Sequence, residues 1–200
     1  MNTWQTKKLG EVAIFKRGPF GGSLKKEIFV SHGYKVYEQK NAIYNDFSLG
    51  KYFITEEKYK NMSEFSVKSG DLIISCSGTI GKVAIVPGNI LPGIINQALL
   101  KITPIRNCVS GAYLKYLIQS QNLRSKMFGS ARGSSIKNIV SIKEIKNISV
   151  CLPSLKLQKL IVNKLDAIKK LGELKNQEKN LISELFESNL NKEMKNRLGN

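Results

Sequence analysis

The sequence predicts an α+β fold: a mostly stranded body over residues 1–152, followed by one long helix over 153–200. Three observations carry this expectation. Short apolar runs are punctuated by Gly, Pro and Asn, as in strands joined by turns. Helical spacing occurs only two or three times in the body and does not alternate with the strands, which argues against a βαβ repeat. After Pro153 the chain contains no further proline, and Leu157, Ile161, Leu165, Ile168, Leu171, Leu174, Leu181, Ile182 and Leu185 recur there at helical steps.

In chain order, residues 9–17 are expected to form the first strand, with Val12, Ile14 and Lys16 on one face and Ala13 and Phe15 on the other. The glycines of Gly18-Pro19-Phe20-Gly21-Gly22-Ser23 break it, and Lys25 and Lys26 follow. This segment is either a surface turn or a loop whose backbone approaches a phosphate. Residues 34–37 read as a strand leading into the polar group Glu38-Gln39-Lys40-Asn41. Residues 51–55 read as a strand, and 56–62 as a short helix. Residues 71–75 and 82–86 form a strand pair around Cys76-Ser77-Gly78-Thr79-Ile80-Gly81, and 94–103 a further strand with Asn96 and Gln97 near its start. A single helix is expected over 111–128, capped by Ser110 and ended by Gly129. The small, basic segment Ser130 to Asn138 precedes a capping box at Ser141 and Glu144. Residues 147–152 are the last strand, and Ser154 is the expected N-cap of the long helix.

Composition narrows the functional class. The net charge is +17, from 32 Lys+Arg against 15 Asp+Glu, and a field of that sign favours a polyanion. No run is apolar enough to span a bilayer and residues 1–10 lack a signal-peptide core, so a soluble, cytoplasmic protein is expected. Lys and Glu alternate on the polar face of the long helix, which suits no membrane surface. Cys76, Cys108 and Cys151 are odd in number and far apart, and are expected to be small buried residues rather than disulfides or metal ligands. With His32 the only histidine, neither a His-ligated metal nor a His-based triad is expected.

Catalytic motifs fail where they are tested. Gly78-Thr79-Ile80-Gly81-Lys82 lacks both the first Gly and the final Ser/Thr of a phosphate loop, those places being held by Cys76 and Val83. Asp46, Glu56 and Lys58 match a metal-nuclease set too loosely to weigh. No motif for amino-methyl transfer and no dinucleotide fingerprint is present, so no cofactor is expected and the chain reads as a binder.

Several stretches, taken together in order, resemble the target recognition domains of type I restriction-modification specificity subunits. They are Trp4…Lys8-Leu9-Gly10-Glu11-Val12, Ser69-Gly70-Asp71-Leu72-Ile73-Ile74-Ser75, and Gly78-Thr79-Ile80-Gly81-Lys82-Val83-Ala84-Ile85. Asn96-Gln97, Ile136-Lys137-Asn138, Ile145-Lys146-Asn147-Ile148 and Leu152-Pro153-Ser154-Leu155…Gln158 extend the similarity over nearly the whole chain. The resemblance implies a mixed-sheet domain that reads one half of a split double-stranded DNA site. It also implies a long helix packed antiparallel on a second such helix as a coiled coil, with methyltransferase and restriction subunits assembled around a subunit that is itself non-catalytic. The family usually carries two recognition domains and two helices in one chain. With one of each here, a homodimer through the long helix is expected.

Base edges are read by Arg or Lys at guanine and Asn or Gln at adenine. The candidate readers are therefore Gln39, Lys40 and Asn41; Ser77 and Thr79; Asn96 and Gln97; and Arg132, Ser134, Ser135, Lys137 and Asn138. Lys16, Arg17, Lys25, Lys26 and Lys82 suit phosphate contacts, which give affinity without sequence preference. The competing expectation is a standalone or regulatory DNA-binding protein that pairs with a full-length specificity subunit.

Overall fold

The computed structural model describes residues 4–128 and 139–198. In order the elements are β1 (Gln5–Lys8), α1 (Leu9–Val12), β2 (Ala13–Arg17), β3 (Tyr34–Tyr37), α2 (Gln39–Tyr44), β4 (Phe53–Ile54), α3 (Glu56–Asn61) and β5 (Leu72–Ser75). They continue with β6 (Val83–Ile85), β7 (Gly93–Ile95), β8 (Leu99–Pro104), α4 (Gly111–Gln119), α5 (Gln121–Phe128), α6 (Ile142–Asn147), β9 (Ser149–Leu152) and α7 (Leu155–Leu198). The α+β class with a mixed sheet and a long C-terminal helix is as expected.

Among the described residues, three sheets form the body. An antiparallel sheet runs in the order β2-β8-β5-β6; a mixed sheet runs β4-β3-β7, with β3 and β7 parallel; and β1 pairs antiparallel with β9. The mixed sheet is covered on both faces. Val36 and Ile94 pack with Leu24, Ile54 and Met62 on one side, whereas Tyr37 and Ile95 pack with Ile73, Ala84 and Leu99 on the other. Its strands therefore read as continuous apolar runs instead of alternating.

Three elements, and the burial of the cysteines, differ from the sequence expectation. Residues 9–12 are a helical turn, not strand: Leu9 and Val12, three apart, share one buried face, and the Lys8 backbone N–H donates to Glu11 Oε2 at 2.7 Å. The strand placed over 94–103 is two strands in two sheets. Its break is a turn in which Asn96 Oδ1 accepts from the Ala98 N–H at 3.0 Å, after which β8 joins the other sheet. The helix placed over 111–128 is interrupted at Ser120 (φ −61°, ψ 143°). Its hydroxyl donates to Leu117 O at 2.7 Å and accepts from the Leu123 N–H at 3.4 Å, ending one helix while capping the next. Of the three cysteines only Cys76 is buried; Cys108 is half-buried and Cys151 faces solvent from β9. The Ser110 cap and the Ser141–Glu144 capping box are present as expected.

The chain divides into two compact units, residues 1–159 and 160–200. The first extends past the expected boundary at 152 because Gln158, fully buried, fastens the opening turn of α7. Its Nε2 donates to Cys108 O and Pro153 O at 3.0 Å each, and its Oε1 accepts from the Ser110 N–H at 2.9 Å. In the second unit α7 carries an exposed apolar stripe: Ile168, Leu171, Leu174, Leu181, Ile182 and Leu185 are each more than half exposed. At 1.5 Å per residue its 44 residues span roughly 65 Å. Of the other residues of the stripe, Leu157, Ile161 and Leu165 are half-buried. Among the described residues no helix is long and apolar enough to cross a membrane.

Candidate nucleic-acid interface

The start of β8 organises one end of the body. Three segments fasten to the short stretch from Asn96 to Leu99: the Asn96 N–H donates to Tyr37 O at the end of β3 (2.9 Å), and the Gly18 N–H, just past β2, to Leu99 O (2.9 Å). The Cys76 N–H, just past β5, donates to Ala98 O at 2.8 Å. The Ser77 hydroxyl then donates to Gln39 Oε1 at 2.7 Å, tying the β5–β6 loop to the first residue of α2. Residues separated by up to about eighty positions thus present their side chains from one rim.

Gly18 explains how close the approach is. A Cβ there would lie 1.8 Å from Asn96 O, so only glycine lets the two backbones meet. The β5–β6 loop is built with similar economy. Ser75 Oγ donates to Thr79 O at 2.5 Å and accepts from the Lys82 N–H at 3.0 Å. Gly78 and Gly81 have φ of +59° and +81°. From α5, Arg124 donates to Gly81 O at 3.1 Å and Ile80 O at 3.4 Å. The Gly-Thr-Ile-Gly-Lys segment is a braced hairpin loop, and Ser77, Thr79 and Lys82 point outward from it, exposed.

Between β2 and α3 lies a groove of about 810 Å³, lined in part by Lys16, Arg17, Phe20, Lys58, Asn61 and Gln97. Lys16 pairs with Glu64 and lies 4.9 Å from the Phe65 ring centre. The Arg17 guanidinium lies beside the Cys76 thiol; burial pushes that thiol up to about 11, against the opposing pull of the guanidinium. Lys40 pairs with Glu38 at 2.9 Å. Lys25 and Lys26 are exposed on the segment following the glycine loop.

Two expected readers are engaged internally. Asn41 is fully buried: its Nδ2 donates to Asp46 O (2.8 Å) and Leu49 O (2.9 Å), and its Oδ1 accepts from the Glu38 N–H (2.7 Å). It holds the 46–49 loop and presents nothing outward, which corrects its expected place among base-reading groups. Asn96 is half-buried, with Oδ1 committed to the Ala98 N–H, so its first role is the turn that moves the chain between sheets. The buried Lys35 secures the same 46–49 loop, donating to Phe47 O at 2.9 Å and Ser48 O at 2.7 Å; burial lowers its pKa, an effect partly opposed by Asp46. Arg132, Ser134, Ser135, Lys137 and Asn138 lie outside the described residues. Sequence reasoning placed Lys58 and Asn61 on a helix without assigning them to the rim, because only the fold brings α3 beside β2. The dismissed nuclease set is dispersed: Asp46 accepts from Ser48 at 2.6 Å, while Glu56 pairs with Lys60 at 2.8 Å.

Residues 1–184 match the type I restriction modification DNA specificity domain. The chain belongs to this specificity-domain family. No curated protein sequence matches it. Solved structures that share its fold include the following three. One, from a study of complex assembly and conformational transition of the type I R-M system, has a TM-score of 0.62 at 20% identity over 84% of this chain and 38% of its own. The HsdS subunit from Thermoanaerobacter tengcongensis has a TM-score of 0.61 at 19% identity, with 84% of this chain and 38% of that one covered. The type I S subunit from M. genitalium gives 0.51 at 16% identity, covering 84% and 40%. This specificity domain therefore spans about two-fifths of the length of the solved chains it matches.

Proposed function

We propose that this chain is a DNA sequence-recognition subunit of a type I restriction-modification complex, reading one half of a bipartite double-stranded site and performing no catalysis itself. The observation that carries this is the convergence of Arg17, Gln39, Ser77 and Gln97 around the start of β8. Their loops are cross-fastened by hydrogen bonds, in a family member of net charge +17. Guanidinium and amide groups are the side chains that discriminate base edges, and a braced scaffold holds them in register with a groove. Lys25, Lys26 and Lys82 would contact phosphates and supply sequence-independent affinity. Residues 1–152 would act as the recognition domain and 153–200 as spacer and dimerisation helix.

The exposed stripe of α7 supports pairing with a second copy as an antiparallel two-fold coiled coil through residues 157–185, because leucines left in water are stabilised by a matching seam. Methyltransferase and restriction subunits would assemble around that pair. Reconstitution with a methyltransferase subunit, followed by mapping of methylated adenines, tests the whole proposal. Methylation confined to an interrupted palindrome is expected. Methylation of a continuous, asymmetric site would refute the paired half-site reading, and failure to confer any sequence preference would refute recognition itself.

A further inference from the structure

Phe20 has a relative exposure of 92%, the highest of the exposed large hydrophobic side chains among the described residues. It stands between Pro19, which is buried, and the turn in which Ser23 N–H donates to Phe20 O at 2.8 Å, with Leu24 buried just beyond. The loop is therefore fixed at both ends: by the Gly18 N–H to Leu99 O bond and the close Gly18–Asn96 approach on one side, and by Leu24 packed among Val36, Ile54 and Ile94 on the other. An apolar ring held out on a short, anchored tip has no packing role in the chain that carries it. The groove beside it is mixed: Met62 and Phe65 line it together with Arg17, Gln97 and Asn61, whose side chains are suited to base edges, and lysines flank Phe20 in sequence at Lys16, Lys25 and Lys26.

From this placement we infer that Phe20 is a wedge that inserts between adjacent base pairs of duplex DNA and unstacks them, so that it helps to determine sequence preference at a step it reads by deformability. The inference rests on the DNA-recognition reading proposed above. The physical logic is that an apolar side chain driven into a base step exchanges water contact for a base face and bends the duplex around the protein. Pyrimidine–purine steps yield most readily and would be favoured. The same cations that neutralise phosphates on either side would hold the duplex against the tip while Arg17 and Gln97 address the edges next to the opened step. An exposed aromatic could instead be an anchor for another protein. The surrounding cations and amides favour the nucleic acid, as does the state of the loop's other large apolar residue, Leu24, which is buried and leaves Phe20 as a single exposed ring rather than part of an apolar patch.

The test uses the full chain and a pool of duplexes with a randomised central segment. Wild-type protein is first used to enrich bound duplexes; lack of any enrichment would overturn the DNA-recognition reading itself, and the wedge with it. An enriched duplex is then scanned with 2-aminopurine, one position at a time, alongside Phe20→Ala and Phe20→Trp proteins whose folding is checked by circular dichroism. Fluorescence should rise at one or two adjacent positions with wild type and Phe20→Trp but not with Phe20→Ala. Phe20→Ala should bind the enriched duplex about tenfold more weakly, as expected for loss of one stacked base. An abasic site at the same step should recover most of that loss, since the cost of unstacking is then already absent. Enrichment with no brightening at any position, or equal binding by Phe20→Ala, would overturn the wedge while leaving DNA recognition standing. Normal DNA binding by Phe20→Ala with loss of a co-purifying protein would overturn it in favour of a protein anchor.

Discussion

Replacing Asn41 with Ala separates two roles that its side chain could have. In the structure the amide makes three hydrogen bonds of 2.7–2.9 Å inside the domain, to the start of α2 and to both ends of the 46–49 loop. At about 1 kcal/mol net each, with two carbonyls and one N–H left partly unsatisfied, Asn41→Ala should destabilise the domain by roughly 3 kcal/mol. For a domain of this size that corresponds to a Tm lower by roughly 6–12 °C. Urea denaturation followed by circular dichroism gives the free energy, and the midpoint should move with little change in slope if the native state stays compact. Asn41→Asp keeps an acceptor for the Glu38 N–H but removes both donors, and should be at least as damaging because it also buries a charge. A stability within about 1 kcal/mol of wild type, together with a selective loss of DNA affinity, would refute the structural role and return Asn41 to the reading surface.

Three further outcomes are expected. Gln158→Leu removes two bonds from the first turn of α7 to the 108–110 segment and one to Pro153 O, and should lower stability by about 2–4 kcal/mol in the same denaturation assay; an unchanged midpoint would mean that packing alone holds that turn. Leu174→Lys combined with Leu181→Lys, at positions now 51% and 57% exposed, should leave the fold of a single chain intact but abolish self-association at micromolar concentration in sedimentation velocity; a persistent dimer would exclude this stripe as the seam. Lys25→Ala with Lys26→Ala should weaken binding to all duplexes alike and reduce the slope of log K against log salt by roughly 1.8, if each lysine neutralises one phosphate; a loss confined to one sequence would identify them as readers.

Local chemistry made much of the chain legible. Capping signals at Ser110 and at Ser141–Glu144, the pair of strands around the Gly78–Gly81 loop, and the proline-free stripe after Pro153 each act over a few residues, and each is found where expected. The misplaced features depend on distant partners. β1 is a short, mostly exposed strand, Gln-Thr-Lys-Lys, whose pairing with β9 no local alternation announces. The division between β7 and β8 needs the Asn96 turn and two different sheets to receive the halves. Asn41 looks like a recognition residue because its type and neighbours suit one, and only the folded 46–49 loop shows where its bonds go. The rim itself is legible in part: the residue types at 39, 77 and 97 suggested readers and Arg17 a phosphate contact, but their meeting at the start of β8 is a property of the topology.

The pairing of β1 with β9 also has a consequence for the order of events during folding. Gln5 is partnered with Leu152 and Lys8 with Ser149, so the first strand of this domain must wait for the last strand before α7. Contacts of such sequence separation are slow to form because the intervening chain must be closed first. The body cannot complete its register until residue 152 is free to pair, so it closes last at the strand that leads into α7. A body that failed to close would leave the first turn of α7 without the 108–110 segment that Gln158 grips.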